Sequence, residues 1–272
     1  RDRCGTTFSE ETTEVQDPQT PTIDDGPRLL RTVSRRGTGA ARFGPVTEVK
    51  EHESAHLEAF AKAKRSIYIE TQFMRHLPLA HALAKRAKEE PELQLIMVIP
   101  TEPERVIFGR DNGMTARHAQ ALQIQCLNKL RHAFGDRLAI LSPAQPRPAP
   151  DGTPLPVEGS GIIYLHSKVT LVDDATAIVG SANLNGRSLL WDTEASVQFD
   201  DAKAIDNLRE RLARKWLRDG AGDITQAETW MTAAETAASR PPAERETMVL
   251  PYPEQRNRRF ARYVPILPSA MF

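Results

Sequence analysis

Apolar positions recur along the chain in two rhythms, a period of two that marks strands and a period near 3.6 that marks helices. Residues 28–34 alternate as a strand does. In residues 46–64, Leu57, Phe60 and Ala61 fall at helical spacing, and SIYIETQF over residues 66–73 follows as a strand. A second unit repeats this order, with a helix over 79–89 and a fully buried strand over 93–99, punctuated by Pro91 and Pro100. A long helix over 115–134 precedes a strand at 138–141, the apolar run 162–172 and the short strand 177–180 form a hairpin, and helices close the pattern at 202–218 and 224–238. Strands alternating with helices predict an α/β layer architecture, a mixed, mostly parallel sheet flanked by helices on both faces.

Outside these rhythms the chain is punctuated. Residues 1–27, rich in Thr, Glu, Asp and Pro, read as a polar linker or arm; residues 28–239 form the folded unit; residues 240–272 are a Pro- and Arg-rich tail. Residues 143–156, dense in proline, read as a loop. In the tail, cations alternate with aromatics from Arg256 to Tyr263, which suits anionic headgroups, although packing back on the domain is the plainer reading. The opening at Arg1 and the polar stretch after it suggest a piece of something longer.

Composition narrows the function. The 36 basic and 36 acidic residues cancel, which counts against a nuclease and against a nucleic-acid partner. Two cysteines, Cys4 and Cys126, carry no disulfide framework or metal pattern and leave the compartment open. No apolar run approaches the ~20 residues of a membrane span, so contact with lipid would be peripheral.

The candidate chemistry lies in YLHSKVTLVDDATAIVGSANLNGRSLLWDTE, residues 164–194. His166 and Lys168 stand one residue apart in an apolar run, so in a strand they share a face and present an imidazole and a cation to one ligand. Asp173 has the opposite parity, which assigns it to the turn 173–176. Gly180, Ser181 and Asn183 add close backbone approach and neutral hydrogen-bonding groups suited to phosphate oxygens. Leu189, Leu190 and Trp191 either line an acyl groove or pack beneath the site.

These residues resemble the HKD motif of the phospholipase D superfamily, His-x-Lys-x4-Asp followed by Gly-Ser-x-Asn, filled here by His166, Lys168, Asp173, Gly180, Ser181 and Asn183. Glu194 matches the family's acidic residue that accepts a hydrogen bond from the catalytic histidine, and residues 182–188 are similar to the phospholipase and cardiolipin synthase variant of the motif. The resemblance covers roughly residues 28–218, including 67–73, and looks like the second half of a two-motif enzyme. It implies a phospholipase D-like layered sandwich, one copy of a normally duplicated unit, with catalytic residues His166, Lys168, Asp173 and Glu194 and a phosphate held by Lys168, Ser181 and Asn183. It also implies hydrolysis or transfer of the phosphatidyl group of a glycerophospholipid through a phosphohistidine, at a membrane surface, with no metal or other cofactor. His166 would be the acid/base, and the nucleophilic histidine would come from an N-terminal half carrying the other motif or from a second copy in a homodimer, since no second His-x-Lys-x4-Asp occurs in the sequence. A cardiolipin-synthase-like transferase is the alternative, differing only in the acceptor; a non-catalytic phosphate-binding half stands behind it.

A rival motif is His52-Glu53-Ser54-Ala55-His56, which fits the zinc-protease pattern His-Glu-x-x-His. Ala59 and Lys62 replace the glycine and third histidine of its extended form. The segment reads instead as an amphipathic helix with its polar face in water. His76, His81, His118 and His132, each isolated, read as surface or core residues.

Overall fold

The structure is a computed structural model describing residues 26–38, 44–102, 104–107, 109, 111–153, 155–218 and 221–272. The arm at 1–27 therefore lies almost wholly outside the described residues, as does Cys4. In chain order the elements are β1 (Arg28–Arg36), β2 (Pro45–Lys50), α1 (Glu51–Lys62), β3 (Ser66–Glu70), α2 (Leu77–Glu89), β4 (Gln94–Val98), α3 (Glu104–Ile107), α4 (Met114–Phe134), β5 (Leu138–Pro148), β6 (Ser160–Ile162), β7 (Val169–Val172), β8 (Thr176–Gly180), α5 (Gly186–Leu190), β9 (Glu194–Phe199), α6 (Ala202–Leu217), α7 (Ala227–Ala238), β10 (Val249–Pro251) and α8 (Glu254–Phe260).

One sheet runs in the order β10-β5-β4-β3-β7-β8-β9-β1-β2, with β6 paired to β5 off this path. It is mixed and flanked by helices, as the pattern predicts, but parallel pairing is confined to β3-β4 and β4-β5; the other neighbours are antiparallel. The expectation of a mostly parallel sheet fails because β7 and β8 are joined by a tight turn, which permits only antiparallel neighbours, and β9, reached through α5, also pairs antiparallel with β8, whereas β3, β4 and β5 are each joined by helices.

Every residue of β3 and β4 is buried, because helices cover both faces. Ile67, Ile69, Leu95 and Met97 pack with Phe60, Leu83 and Leu127 from α1, α2 and α4. Tyr68, Ile96 and Val98 pack on the other side with Trp216 of α6 and Trp230 of α7. The period of two in the strands thus separates two cores.

Three local expectations are corrected. Residues 46–50 belong to β2 and not to the helix that follows, since Val46 and Val49 pair with Arg35 and Val33 of β1. The proline-rich stretch does not begin as a loop: β5 continues to Pro148, with Ala144 N–H donating to the Met248 carbonyl and the Pro143 carbonyl accepting from Ile163, so the prolines occupy places where no N–H is needed. The tail contributes an edge strand, β10, and buries Tyr252 and Asn257.

The His-Glu-x-x-His segment lies on α1, but its polar side is buried rather than solvated. His52 exchanges hydrogen bonds with the Thr32 and Ser196 hydroxyls, both at 2.8 Å, while His56 bonds the His52 carbonyl and the Thr170 hydroxyl. Glu53 accepts from His76 and pairs with Lys50. These groups spend their hydrogen bonds joining α1 to β1, β7 and β9, and no cluster suited to a metal occurs among the described residues. Cys126 is a free thiol, buried in the core, and burial pushes its pKa up to about 12.

Burial lowers the His56 pKa to about 4. The folded state therefore prefers the neutral ring, so its contribution is complete above the ordinary histidine value of ~6.5 and declines as pH falls from there toward 4, at ~1.4 kcal/mol per pH unit. Urea unfolding between pH 7 and pH 4.5 should show this loss, and His56→Gln, unable to take the proton, should give a shallower slope. Equal slopes would show that His56 is not the titrating group.

Candidate active site

The motif residues gather at one end of the sheet, where β3 finishes and its antiparallel neighbour β7 begins, with Glu70 opposite Val169. The far end of β8 and the start of β9 lie alongside, Gly180 opposite Ser196. The carboxyl ends of β3 and β4 open on the same side, the usual place for a ligand in an α/β sheet.

His166 and Lys168 do not lie in a regular strand. Residues 163–168 form an irregular approach to β7, so the shared face expected from strand parity gives way to a divergence: His166 is exposed, whereas Lys168 is only 7% exposed. The Lys168 ammonium donates to the His166 carbonyl at 2.6 Å, and burial lowers its pKa, opposed by the nearby Glu194 carboxylate. The His166 imidazole has no hydrogen-bond partner among the described residues. It stands at the wall of a pocket of about 350 Å³ that Gln72, Arg75, Tyr164 and the first turn of α4 also line.

Between the two, Ser167 donates a short hydrogen bond to Glu70. Glu70 is buried and accepts also from the Tyr68 hydroxyl and the Trp216 indole, each at 2.6 Å. Burial and the Glu70 charge push the Tyr68 pKa well up, which keeps it a donor. The sequence reading missed this carboxylate because a Glu at a strand end, before Thr71 and Gln72, reads as solvated.

Glu194 does not accept from His166 here. It accepts from the Ser181 hydroxyl at 2.5 Å, and Ala195 N–H donates to the same hydroxyl, because Ser181 and Glu194 sit side by side where β8 and β9 diverge. Asn183 is buried and committed to the loop after β3: its Oδ1 accepts from Gln72 N–H and its Nδ2 donates to the Gln72 side chain. Gln72 donates in turn to the Tyr164 hydroxyl at 2.8 Å. Leu184 completes the link, accepting at its carbonyl from Arg75 and His76 N–H. Gly180 has no alternative, since a Cβ there would lie 2.4 Å from the Ser196 Cα. Leu189 is fully buried and Leu190 packs on the same core, so these two residues lie beneath the site and not along a groove.

Asp173 sits apart from the imidazole at the other end of β7. Its carboxylate accepts from three successive backbone N–H groups, those of Lys64, Arg65 and Ser66, at 2.8 to 2.9 Å, and its φ of 51° places it in the left-handed region that Asp tolerates. This geometry is that of a structural clamp.

Residues 57–216 match the model of the family described as cardiolipin synthase, PLD-like domain. The chain belongs to the phospholipase D superfamily. It is 28% identical over 267 residues to phospholipase D zeta 1 of Arabidopsis thaliana, covering 77% of this chain and 23% of that protein. It is 26% identical over 193 residues to phospholipase D1 of Homo sapiens, covering 60% of this chain and 18% of the relative. The chain thus spans about a fifth of the length of these relatives. Among solved structures it is similar to the phospholipase D family member Nuc from Salmonella typhimurium, with a TM-score of 0.41 and 16% identity over 68% of this chain and 91% of that one. A phosphatidylserine synthase from Haemophilus influenzae gives a TM-score of 0.46 at 14% identity over 70% and 38%.

The clamp predicts a stability role for Asp173. Asp173→Ala leaves three backbone donors without their partner, of which the Ser66 N–H is buried, and should cost about 1–3 kcal/mol in urea unfolding. Asp173→Asn, which keeps one acceptor and tolerates the same φ, should lose less. A normal unfolding midpoint in Asp173→Ala would contradict the clamp.

Proposed function

We propose that this chain is the second-motif half of a phospholipase D-type phosphodiesterase that hydrolyses or transfers the phosphatidyl group of a glycerophospholipid. The observation that carries the reading is the free imidazole of His166 in the pocket wall, two residues from a largely buried lysine that has no carboxylate bound to it among the described residues. An anionic phosphodiester would supply the counter-charge that Lys168 lacks, and its departing alkoxide would meet an imidazole in the pocket wall that has no hydrogen-bond partner among the described residues.

In this reading a histidine from the complementary half attacks phosphorus, forming an N–P bond as the P–O bond to the alcohol breaks. His166, entering protonated, gives its proton to the leaving oxygen. It then takes a proton from water, or from an acceptor alcohol, as that oxygen attacks the phosphohistidine and releases the first histidine. Lys168 holds the non-bridging oxygens, with Ser181 able to swing from Glu194 toward them. Glu194 supports the imidazolium once Ser181 releases it, so its present contact is that of a resting site. Asn183 acts by holding Gln72 and the loop after β3, and any contact it makes with phosphate comes through that loop. The exposure of His166 suits a site closed by a second half.

Two measurements test this. The chain alone should not turn over a short-chain phosphatidylcholine, and adding an N-terminal half with the other motif should restore activity; robust turnover by a proven monomer would overturn the two-half reading. In the assembled enzyme, His166→Ala should lower turnover of alkyl diesters by ~10²–10⁴-fold. It should spare the first step with p-nitrophenyl diesters, so that a phosphoenzyme accumulates. Acid quench and mass spectrometry should find the adduct on the complementary half's histidine; an adduct on His166 would reverse the roles.

A further inference from the structure

Arg75 carries a buried positive charge with no carboxylate hydrogen-bonded to its Nε or Nη2 among the described residues. The residue is 6% exposed, and its Nε and Nη2 are buried without a hydrogen-bond partner among the described residues. The guanidinium carbon lies 4.0 Å from the centre of the Phe73 ring, a contact that satisfies no N–H with a hydrogen-bond acceptor. The electrostatic neighbours that favour its charge are Tyr252, Tyr164 and Cys126, none a carboxylate. Burial lowers the guanidinium pKa to about 10, which still leaves it a cation at neutral pH. A buried ion without a counter-ion costs several kcal/mol, so such an arrangement implies an anion that completes it.

The place is defined by the pocket. Arg75 lines the same cavity as His166, and Thr115 and Ala116 line it too. These residues belong to the first turn of α4, a helix of 21 residues with no acidic residue in that turn and no side-chain cap on its N-terminus. Its first N–H groups have no intrahelical partner, and the helix end carries partial positive charge. Of the other charged groups in the wall, Arg187 is paired with Asp192, and Asp111 receives the N–H of Gly113. Lys168 does not line this cavity but a separate small one, beside Glu70 and Gly180. The phosphate held near Lys168 and the anion that Arg75 requires therefore occupy different positions.

We propose that Arg75 and the N-terminal turn of α4 form a subsite for a second anionic group, a phosphomonoester or a carboxylate, carried on the alcohol side of the phosphodiester. The inference rests on the reading of His166 as the group facing the scissile diester, and it names the substrate class: diesters whose alcohol bears its own negative charge. The guanidinium fork offers the bidentate geometry that both anions match.

The test is titration calorimetry on the full chain with three soluble diesters that differ only in the alcohol: glycerophosphoglycerol, its terminal phosphomonoester, and the corresponding carboxymethyl diester. The phosphorylated or carboxylated compound should bind ~10–100-fold more tightly than the neutral one, as hydrogen bonds to charged groups allow. Whichever anion binds more tightly identifies the source. Arg75→Gln should collapse that ratio to near one, and Arg75→Lys should retain part of it. Equal affinities in the wild type, or an unchanged ratio in folded Arg75→Gln, would overturn the subsite; if Arg75→Gln does not fold, the wild-type ratio together with amide shifts at Thr115 and Ala116 decides. Turnover in the assembled enzyme separates the two readings. Equal kcat/KM on charged and neutral diesters leaves the phosphodiesterase and removes the subsite, while charge-selective binding without turnover of any diester upholds the subsite and removes the phosphodiesterase.

Discussion

The carboxylate of Asp173 fixes the relation between the two parts of the sheet. By accepting from the N–H groups of Lys64, Arg65 and Ser66, it ties the turn after β7 to the entry of β3, and the Asp173 N–H donates back to the Ser66 carbonyl. That closure sets the antiparallel register, Ile67 against Val172 through Glu70 against Val169. A slip of one residue would invert every side chain of the strand pair. The parallel strands with their helices and the antiparallel hairpin with the motif thus meet at a single seam, and the seam is pinned by one side chain at the end remote from His166.

What the sequence conveyed followed from periodicity and from one dense motif. Strands β3 and β4 and helices α2, α4, α6 and α7 were legible because burial imposes their rhythm. Parity placed Asp173 in the turn after the strand, facing away from His166; that its carboxylate clamps the backbone of Lys64, Arg65 and Ser66 was not legible, since those residues lie over a hundred positions earlier in the chain. The disposition of His166 and Lys168 did not follow from parity, because parity presumes a strand and the chain enters β7 only at Val169. His52, Glu53 and His56 read as solvated since an isolated helix shows only its polar stripe; the histidines' partners Thr32, Thr170 and Ser196 come from three strands far apart in the chain, and Glu53 is bound by His76 and Lys50. Arg75 gave no signal, because an arginine in a short polar segment between strand and helix is ordinary until its burial is known.

The site has two kinds of group. One kind, with Glu70, Asn183, Gln72 and Tyr164, is satisfied within the protein and holds its geometry whether or not a ligand is bound. The other, with His166 and Arg75, has hydrogen-bonding capacity that the described residues leave unused. His166 is exposed, but for Arg75, which is buried, the second condition is one that native interiors rarely allow. The division places stability in the strands and the loop after β3 and leaves reactivity to two side chains facing one cavity.

Ser167, flanked by the two motif residues, is bound to Glu70, and Glu70 is bound to Trp216 on α6, a helix packed against the opposite face of the sheet from α1 and α4. The irregular backbone at 166–168 is therefore held from outside its own segment. Copied into a foreign strand, the string His-x-Lys-x4-Asp would bring its side chains but not the buried acid and indole that aim them. The motif is a readout of its scaffold rather than a portable cassette, and substitutions at Trp216, distant in sequence and unremarkable in composition, belong to the same heritable unit as the histidine itself.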